Sequence, residues 1–422
     1  MRLTIVASGD FFSNYGGGQV YVKNLVDELI NQKDILALNL SVISFSPSFH
    51  QVPSCKQYQS IPLYELNPEG DITSLLTKIN PEIVHAHGEK VKVAIACKKA
   101  GIPCIVTSHH GGLVCPAGTL LNTDDKICRT PAEYKCCLKC YLRNTPTGIV
   151  WYPLLNFFSQ KNFSHMGQIL KKLPFIPFIS PIGETGLIVS QKLKDWHDLS
   201  ENATHFIAPS NAIANALELN GCIPEKISII PHGIPIIPKL NKQSIRQSGN
   251  QVVSFYYVGR INYVKGIHIL LDAFNSIKNH NAKLHIIGSA GNNSEHRYMR
   301  KLQKKYRKDT RIVWHGKMPY NKMNEVIQEY DCLVHPAIYL EVFGLNISEA
   351  LAQHKYVIAT RCGGPEMQIH NENEGLLVAP NDTNALKEAL LNYIAHPKQS
   401  KTTVININTH IKQLYKLYTQ VY

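Results

Sequence analysis

Short apolar runs alternate with stretches of helical periodicity along almost the whole chain, and this alternation constrains the fold more than any other property of the sequence. RLTIVAS (residues 2–8) reads as a strand, and GGGQVYVKNLVDELI after it carries Val20, Leu25, Val26 and Leu29 at helical spacing. PEIVHAH, KVAIACKKAG and IPCIVTSHH repeat the pattern, as do HFIAPS, NAIANALELNG and ISIIPHG up to Gly233. Strands apolar along their whole length need cover on both faces, which helices of a parallel sheet provide. A proline-interrupted stretch from Ile234 to Asn250 reads as a linker. A second series follows: QVVSFYYVG, a helix over 267–277, AKLHIIG, RIVWHG, CLVHP, a helix over 345–352, YVIAT and GLLVAP. Two doubly wound α/β domains account for both series. The final NTHIKQLYKLYTQVY reads as a helix with one apolar side, placed to dock back on the first domain.

Size and composition fit this. The 422 residues allow two to three domains at roughly 150 residues each. A chain 44% hydrophobic and 18% charged is neither disordered nor fibrous. No apolar stretch reaches the roughly 20 residues that span a bilayer, so the expected location is the cytoplasm. Charge is uneven: 20 basic against 18 acidic residues up to Pro235, and 24 against 13 beyond it. A basic second half favours an anionic partner.

Several constellations carry chemistry. Gly16-Gly17-Gly18-Gln19 lies between a strand and a helix, where bare backbone and a helix amino end admit an anion or form a plain tight turn. Arg260 and Lys265, in GRINYVKG, follow a strand and open a helix, a placement that suits a diphosphate as well as a solvated loop. Glu341 and Glu349 flank Gly344-Leu345; were the segment helical throughout they would stand ~12 Å apart, too far to share a proton. Separate roles suit them, Glu341 on sugar hydroxyls, Glu349 on a ribose diol and the helix amino end between them on phosphate; a charged loop residue and an exposed helix glutamate fit the same pattern.

Taken in order, these motifs, with IPHG at 230–233, GGPE at 363–366 and GLLVAPND at 375–382, resemble the retaining family 4 glycosyltransferases over nearly the whole chain. The resemblance implies a GT-B fold, two Rossmann-like domains facing a cleft, the nucleotide sugar mostly on the second and the acceptor mostly on the first. The corresponding division is 1–234 for the first domain, with a cysteine-rich and hydrophobic insertion at about 111–182, then 235–398 for the second and 399–422 for the terminal helix. By motif match His109, in T-x-H, and Glu341 are the catalytic candidates. Arg260, Lys265, Glu349, Gly17, Gly18, Gly288, Gly344 and Leu345 would contact the donor. His110 competes with His109, because neighbours at a strand end face opposite ways, and His87 reads as a structural histidine. Three positions depart from the family's usual residues: Gln19 and Pro235 where acids are frequent, and His232 where asparagine is.

The implied activity is retaining transfer of a sugar from a nucleoside diphosphate to a glycan or lipid-linked glycan hydroxyl, in cell-envelope polysaccharide or glycolipid synthesis, without a catalytic metal. A nucleotide-sugar epimerase or a phosphorylase would use the same fold, and a nucleic-acid-binding scaffold would use the basic half. The sequence holds no aromatic stacking platform or groove-reading motif, so nucleic acid is not the expected partner. Five of the eleven cysteines fall between Cys115 and Cys140. Cys115, Cys128, Cys137 and Cys140 have spacing compatible with a structural zinc, and equally with free thiols or a local disulfide. Residues 149–182, rich in aromatic side chains and lysine, suit either a membrane-facing surface or a buried insertion. The helix around 297–308, with Arg297, Lys301, Lys304, Lys305 and Lys308 on one side, suits solvent or an anionic membrane surface.

Overall fold

The structure, a computed structural model, describes residues 1–7, 9–12, 16–143, 180–236, 252–278 and 281–422. The aromatic insertion lies outside the described residues through position 179, as does the linker over 237–251. The chain forms two compact units.

The first unit comprises Met1–Asp124, Cys128–Gly233 and Ile407–Tyr422. Its strands are β1 (Arg2–Val6), β2 (Asn39–Phe45), β3 (Ser54–Tyr58), β4 (Ile61–Leu66), β5 (Ile83–Ala86), β6 (Cys104–Thr107), β7 (His205–Ala208) and β8 (Ile227–Ile229). They form one sheet in the order β3-β4-β2-β1-β5-β6-β7-β8, parallel except for the β3–β4 pair. The helices are α1 (Gly17–Gln32), α2 (Ile72–Ile79), α3 (Lys90–Ala100), α4 (Tyr134–Leu142), α5 (Ser180–Asn202) and α6 (Asn211–Leu219). Leu25, Val26 and Leu29 of α1 are buried, as their helical spacing requires. The terminal helix, Ile407–Val421, packs on α1: Tyr21 Oη lies 2.6 Å from His410 Nε2, and Gln32 Nε2 donates to Asn408 Oδ1 at 3.0 Å.

The second unit comprises Asp125–Ile127 and Ile234–Asn406. Its six parallel strands are β9 (Val253–Val258), β10 (Ala282–Ile287), β11 (Ile312–Gly316), β12 (Cys332–His335), β13 (Tyr356–Thr360) and β14 (Leu376–Val378), in the order β11-β10-β9-β12-β13-β14. They alternate with α7 (Ile267–Ser276), α8 (Asn293–Lys305), α9 (Tyr320–Gln328), α10 (Leu345–Ala352) and α11 (Thr383–Ala395). Ile347 and Leu351 of α10 pack on Tyr256, Leu333 and Val357 of the strands. Residues 399–406 group with this unit and not with the terminal helix; Ile234 N donates to Ile405 O at 3.1 Å.

Strand order reverses between β1 and β5 in the first unit and between β9 and β12 in the second. In open α/β sheets the loops at such a reversal part above the carboxyl ends of the strands and leave a crevice for ligands. The glycine loop follows β1, GRINYVKG follows β9 and Glu341 follows β12, so these three motifs fall on loops at the reversals.

Candidate functional site

In the second unit the loop after β9 carries Arg260 and Lys265, and the loop after β12 carries Glu341 and Gly344. Three glycines make the loops possible. Gly266 (φ 69°) is the N-cap of α7, and a Cβ there would collide with Pro336 O. Gly288 (φ 144°), just past β10, packs its bare Cα on Gly259 O. Gly344 (φ 85°) is the N-cap of α10, and no side chain caps that end, so its first N–H groups have no capping partner. Leu345 is the first helical residue.

Glu341 precedes α10 in an extended bridge to Gly363: its N donates to Cys362 O at 2.8 Å, and Gly364 N donates to Glu341 O at 2.8 Å. The GGPE segment thus fixes the backbone of Glu341. Its carboxylate, 10% exposed, accepts from Lys265 Nζ at 2.6 Å and from Tyr339 Oη at 2.8 Å. His335 Nε2 lies 3.3 Å from the same oxygen, close enough for electrostatic attraction but too poorly directed for a hydrogen bond. Asn346 Nδ2 lies 3.2 Å from His335 Nδ1, so that nitrogen accepts and the ring proton sits on Nε2, facing the carboxylate. Burial alone would raise the Glu341 carboxyl; the Lys265 cation and His335 more than offset it and hold the group well below the usual carboxylate range. Burial would likewise lower the Lys265 amine, and Glu341 keeps it well above its ordinary value. Both groups are charged at neutral pH, so Glu341 accepts hydrogen bonds and donates none.

Arg260 is also paired. Its Nε donates to Glu295 Oε2 at 2.7 Å, where Gly291 N donates as well, and the guanidinium lies over the bare Cα of Gly291. The two cations expected to face a diphosphate are therefore each held by a carboxylate. Glu349 lies on α10, half-buried, and its charge acts on buried Tyr256 of β9. Sequence reasoning missed Tyr339, His335, Asn346 and Glu295. Only Glu295 left a trace: three residues after Asn292, it gives the N-cap pattern of α8.

In the first unit, histidines collect at the ends of β5 and β6. His85 is buried between Tyr418 Oη and Thr107 Oγ1, each 2.7 Å from a ring nitrogen. His87 Nδ1 lies 2.7 Å from His109 Nε2. The His109 ring lies 5.3 Å from Tyr21 and 5.4 Å from His232, centre to centre. A Cβ on Gly18 would stand 3.8 Å from His109, so the glycine loop and the T-x-H histidine adjoin. His110 turns away: its Nδ1 accepts from Gly112 N at 3.0 Å and caps the turn Gly111–Leu113. Burial lowers the pKa of His87, His109 and His232 well below the ordinary value, so these rings are neutral at neutral pH.

Cys115, Cys128, Cys137 and Cys140 are free thiols. Burial, and then the neighbouring thiols, push Cys137 up to about 12. Among the described residues no group of three or more His, Cys, Asp or Glu side chains is arranged to hold a metal ion, although Cys115, Cys128, Cys137 and Cys140 lie near enough for their charges to act on one another. On α8 and just beyond it, Arg297, Arg300, Lys301, Lys304, Arg307 and Lys308 are exposed, while Lys305 is held by Asp272 at 2.7 Å. No helix among the described residues is long and apolar enough to cross a membrane.

Residues 240–409 match the family described as Glycosyl transferases group 1. An uncharacterised glycosyltransferase of Methanocaldococcus jannaschii is 27% identical over 243 residues, 56% of this chain and 64% of that protein. The match thus spans less than two thirds of that relative's length. Two solved structures share the fold: a sucrose-phosphate synthase from Thermosynechococcus elongatus (TM-score 0.68, 17% identity, 100% of this chain and 99% of that one) and HepE of Anabaena in complex with UDP and glucose (TM-score 0.63, 17% identity, 99% of each). Its two Rossmann-like units thus give the chain the GT-B fold of these structures, and its second unit carries the match to the Glycosyl transferases group 1 family.

Proposed function

We propose that the chain is a retaining glycosyltransferase that moves a sugar from a nucleoside diphosphate to a hydroxyl of a glycan or lipid-linked glycan in cell-envelope synthesis. The observation that carries this reading is the partly buried Lys265–Glu341 pair, with Tyr339 and His335, at the β9/β12 reversal beside the uncapped end of α10. Glu341, ionised and acceptor-only, holds sugar hydroxyls. Lys265 has N–H groups beyond the one given to Glu341, and with Arg260 and the N–H groups at Leu345 it faces the diphosphate, while Glu349 takes the ribose. The bond between the anomeric carbon and the phosphate oxygen breaks with its electron pair going to the diphosphate. The acceptor oxygen bonds to that carbon on the same face, and its proton passes to the departing phosphate. Fixed positive charge lowers the barrier to that departure. His109, neutral and held by His87, contributes a hydrogen bond to the transferred sugar and not a charge. These cations supply what a metal ion would, so transfer should persist with a chelator.

The exposed basic side of α8 supports peripheral attachment to an anionic cytoplasmic membrane surface, read by flotation with anionic vesicles and its loss on raising salt. The test of activity is a panel of nucleoside-diphosphate sugars with product mass spectrometry, the anomeric configuration being read by proton coupling constants. Glu341→Ala and Lys265→Ala should abolish transfer while retaining the wild-type circular dichroism spectrum. Full activity in either folded variant removes the donor assignment.

A further inference from the structure

We propose that the first unit carries a phosphate-binding site at the amino end of α3, with Lys90 as its cation, and that this site holds a phosphate group of the acceptor. The proposal rests on the glycosyltransferase reading and narrows its substrate to acceptors bearing a phosphate.

Three observations converge. Lys90, the first residue of α3, is only 8% exposed, and among the described residues its ammonium has no hydrogen-bond or ion-pair partner. A buried, unpaired cation is costly, and proteins retain one where an anion comes to it. Secondly, Glu89, the N-cap of α3, turns the chain sharply with a φ of 44° and its side chain makes no cap; the first turn holds no acidic residue. Its N–H groups therefore point out of the helix without a capping side chain, on the loop that leaves β5 at the strand-order reversal. Thirdly, a cavity of about 700 Å³ opens there between α2, α3 and α5, lined by Lys90, Val91, Ile95, Lys99 and Lys192 among others.

Four acids also line the cavity, and most are engaged elsewhere. Asp71 caps α2 through Ser74 N at 3.1 Å, Glu69 accepts from Gln51 at 3.5 Å, and Asp195 accepts from Gln191 at 2.8 Å; Glu89 is exposed. Lys92 is held by Pro68 O and by Gly70 O, the latter at 2.7 Å. Of the lining cations Lys90 alone is buried and unpaired. Burial brings its amine down to about 8, so an arriving anion would restore its full charge. The charge of Lys90 acts on His85, His87, His109 and His110, and that of Lys192 also acts on His110. A phosphate held here would anchor an acceptor beside the strand-end histidines.

The test uses the full chain with its donor site filled by whichever of UDP and ADP raises the melting temperature. Inorganic phosphate is titrated in, with sodium chloride at matched ionic strength as control, and acetylation of each lysine is followed by peptide mass spectrometry. Phosphate should slow labelling of Lys90 by about threefold or more and leave exposed Lys98 unchanged. Lys90→Met should lose the phosphate-induced rise in melting temperature and keep the nucleotide-induced one. Equal labelling of Lys90 with phosphate and with chloride, or a phosphate-induced rise surviving in Lys90→Met, overturns the proposal. Failure of the glycosyltransferase reading would appear separately, as wild-type protein that neither binds a nucleoside diphosphate nor transfers sugar.

Discussion

Acidification to about pH 5 should lower the melting temperature of the first unit more than that of the second, because more of its histidines are buried and refuse protons that the unfolded chain accepts, whereas in the second unit burial lowers His268 and His285. Burial is the main cause, lowering His85 from 6.5 to about 3 and His410 from 6.5 to about 4. Both are fully buried, and neither has a carboxylate as a hydrogen-bond partner. The sign follows from the direction of the shift. Above about 6.5 both states are neutral and nothing is lost; below it the unfolded rings take protons while the folded ones do not, so stability falls with pH until the folded values are passed. At pH 5 each ring costs about 2 kcal/mol relative to neutral pH, about 4 kcal/mol for the pair. His87 and His232, shifted in the same direction, add to this. Against a domain stability of about 5–15 kcal/mol the loss is decisive, and it corresponds to a fall in melting temperature of roughly 10 °C. Trp196, buried in the first unit with its indole N–H on Asn220 O at 2.8 Å, reports the transition once Trp151 and Trp314 are replaced by phenylalanine. His85→Asn should recover about half of the acid loss, measured against its own neutral-pH melt. A Trp196 melting temperature that stays within about 2 °C between neutral pH and pH 5 would refute the reasoning.

Three further predictions concern the second unit. Glu341→Gln strands the partly buried Lys265 cation and should cost about 2–3 kcal/mol, whereas the apolar pair Glu341→Leu with Lys265→Met should recover more than half of that in denaturant melts; independent, additive losses would mean the pair is not formed. Gly288→Ala should cost about 2–4 kcal/mol, because its Cβ meets the Gly259 carbonyl, while Gly316→Ala, with φ of 72° but open space around it, should cost only about 1 kcal/mol. Equal losses would show backbone strain, not collision, to be the limiting effect. Glu295→Gln releases Arg260 from its carboxylate and should tighten nucleoside-diphosphate binding severalfold by calorimetric titration; an unchanged affinity removes Arg260 from the diphosphate site.

Most of the second unit was legible in the sequence because its strands are apolar along their length and its glycines sit where backbone must pass backbone. The helix over 345–352 has the expected bounds. The helical separation considered for Glu341 and Glu349 does not apply, since α10 starts only at Leu345. In the first unit, β2, β3, β4, α2, α4 and α5 went unread. Nearly all of β3 is exposed and it pairs along one edge only, so it carries no apolar signature. The site partners were hidden for a different reason. Glu295 reaches Arg260 across 35 positions and His335 is oriented by Asn346 across a loop, and neither relation follows from periodicity. His87 and His109 illustrate this again: both were visible as strand-end histidines, but their mutual hydrogen bond depends on the register of β5 against β6.

The closing helix gives the molecule a particular order of assembly. Tyr418 reaches His85 across 333 positions, and an entire second unit lies between them in the chain. During synthesis the first sheet emerges long before the segment that satisfies its buried imidazole, and the intervening polypeptide must leave the ribosome before that bond closes. Until then one side of α1 stays wet and the histidine cluster stays open to protons. The amino-terminal unit is thus the first to be made and the last to be completed, and a nascent chain stalled before residue 407 exposes the surface a chaperone would find.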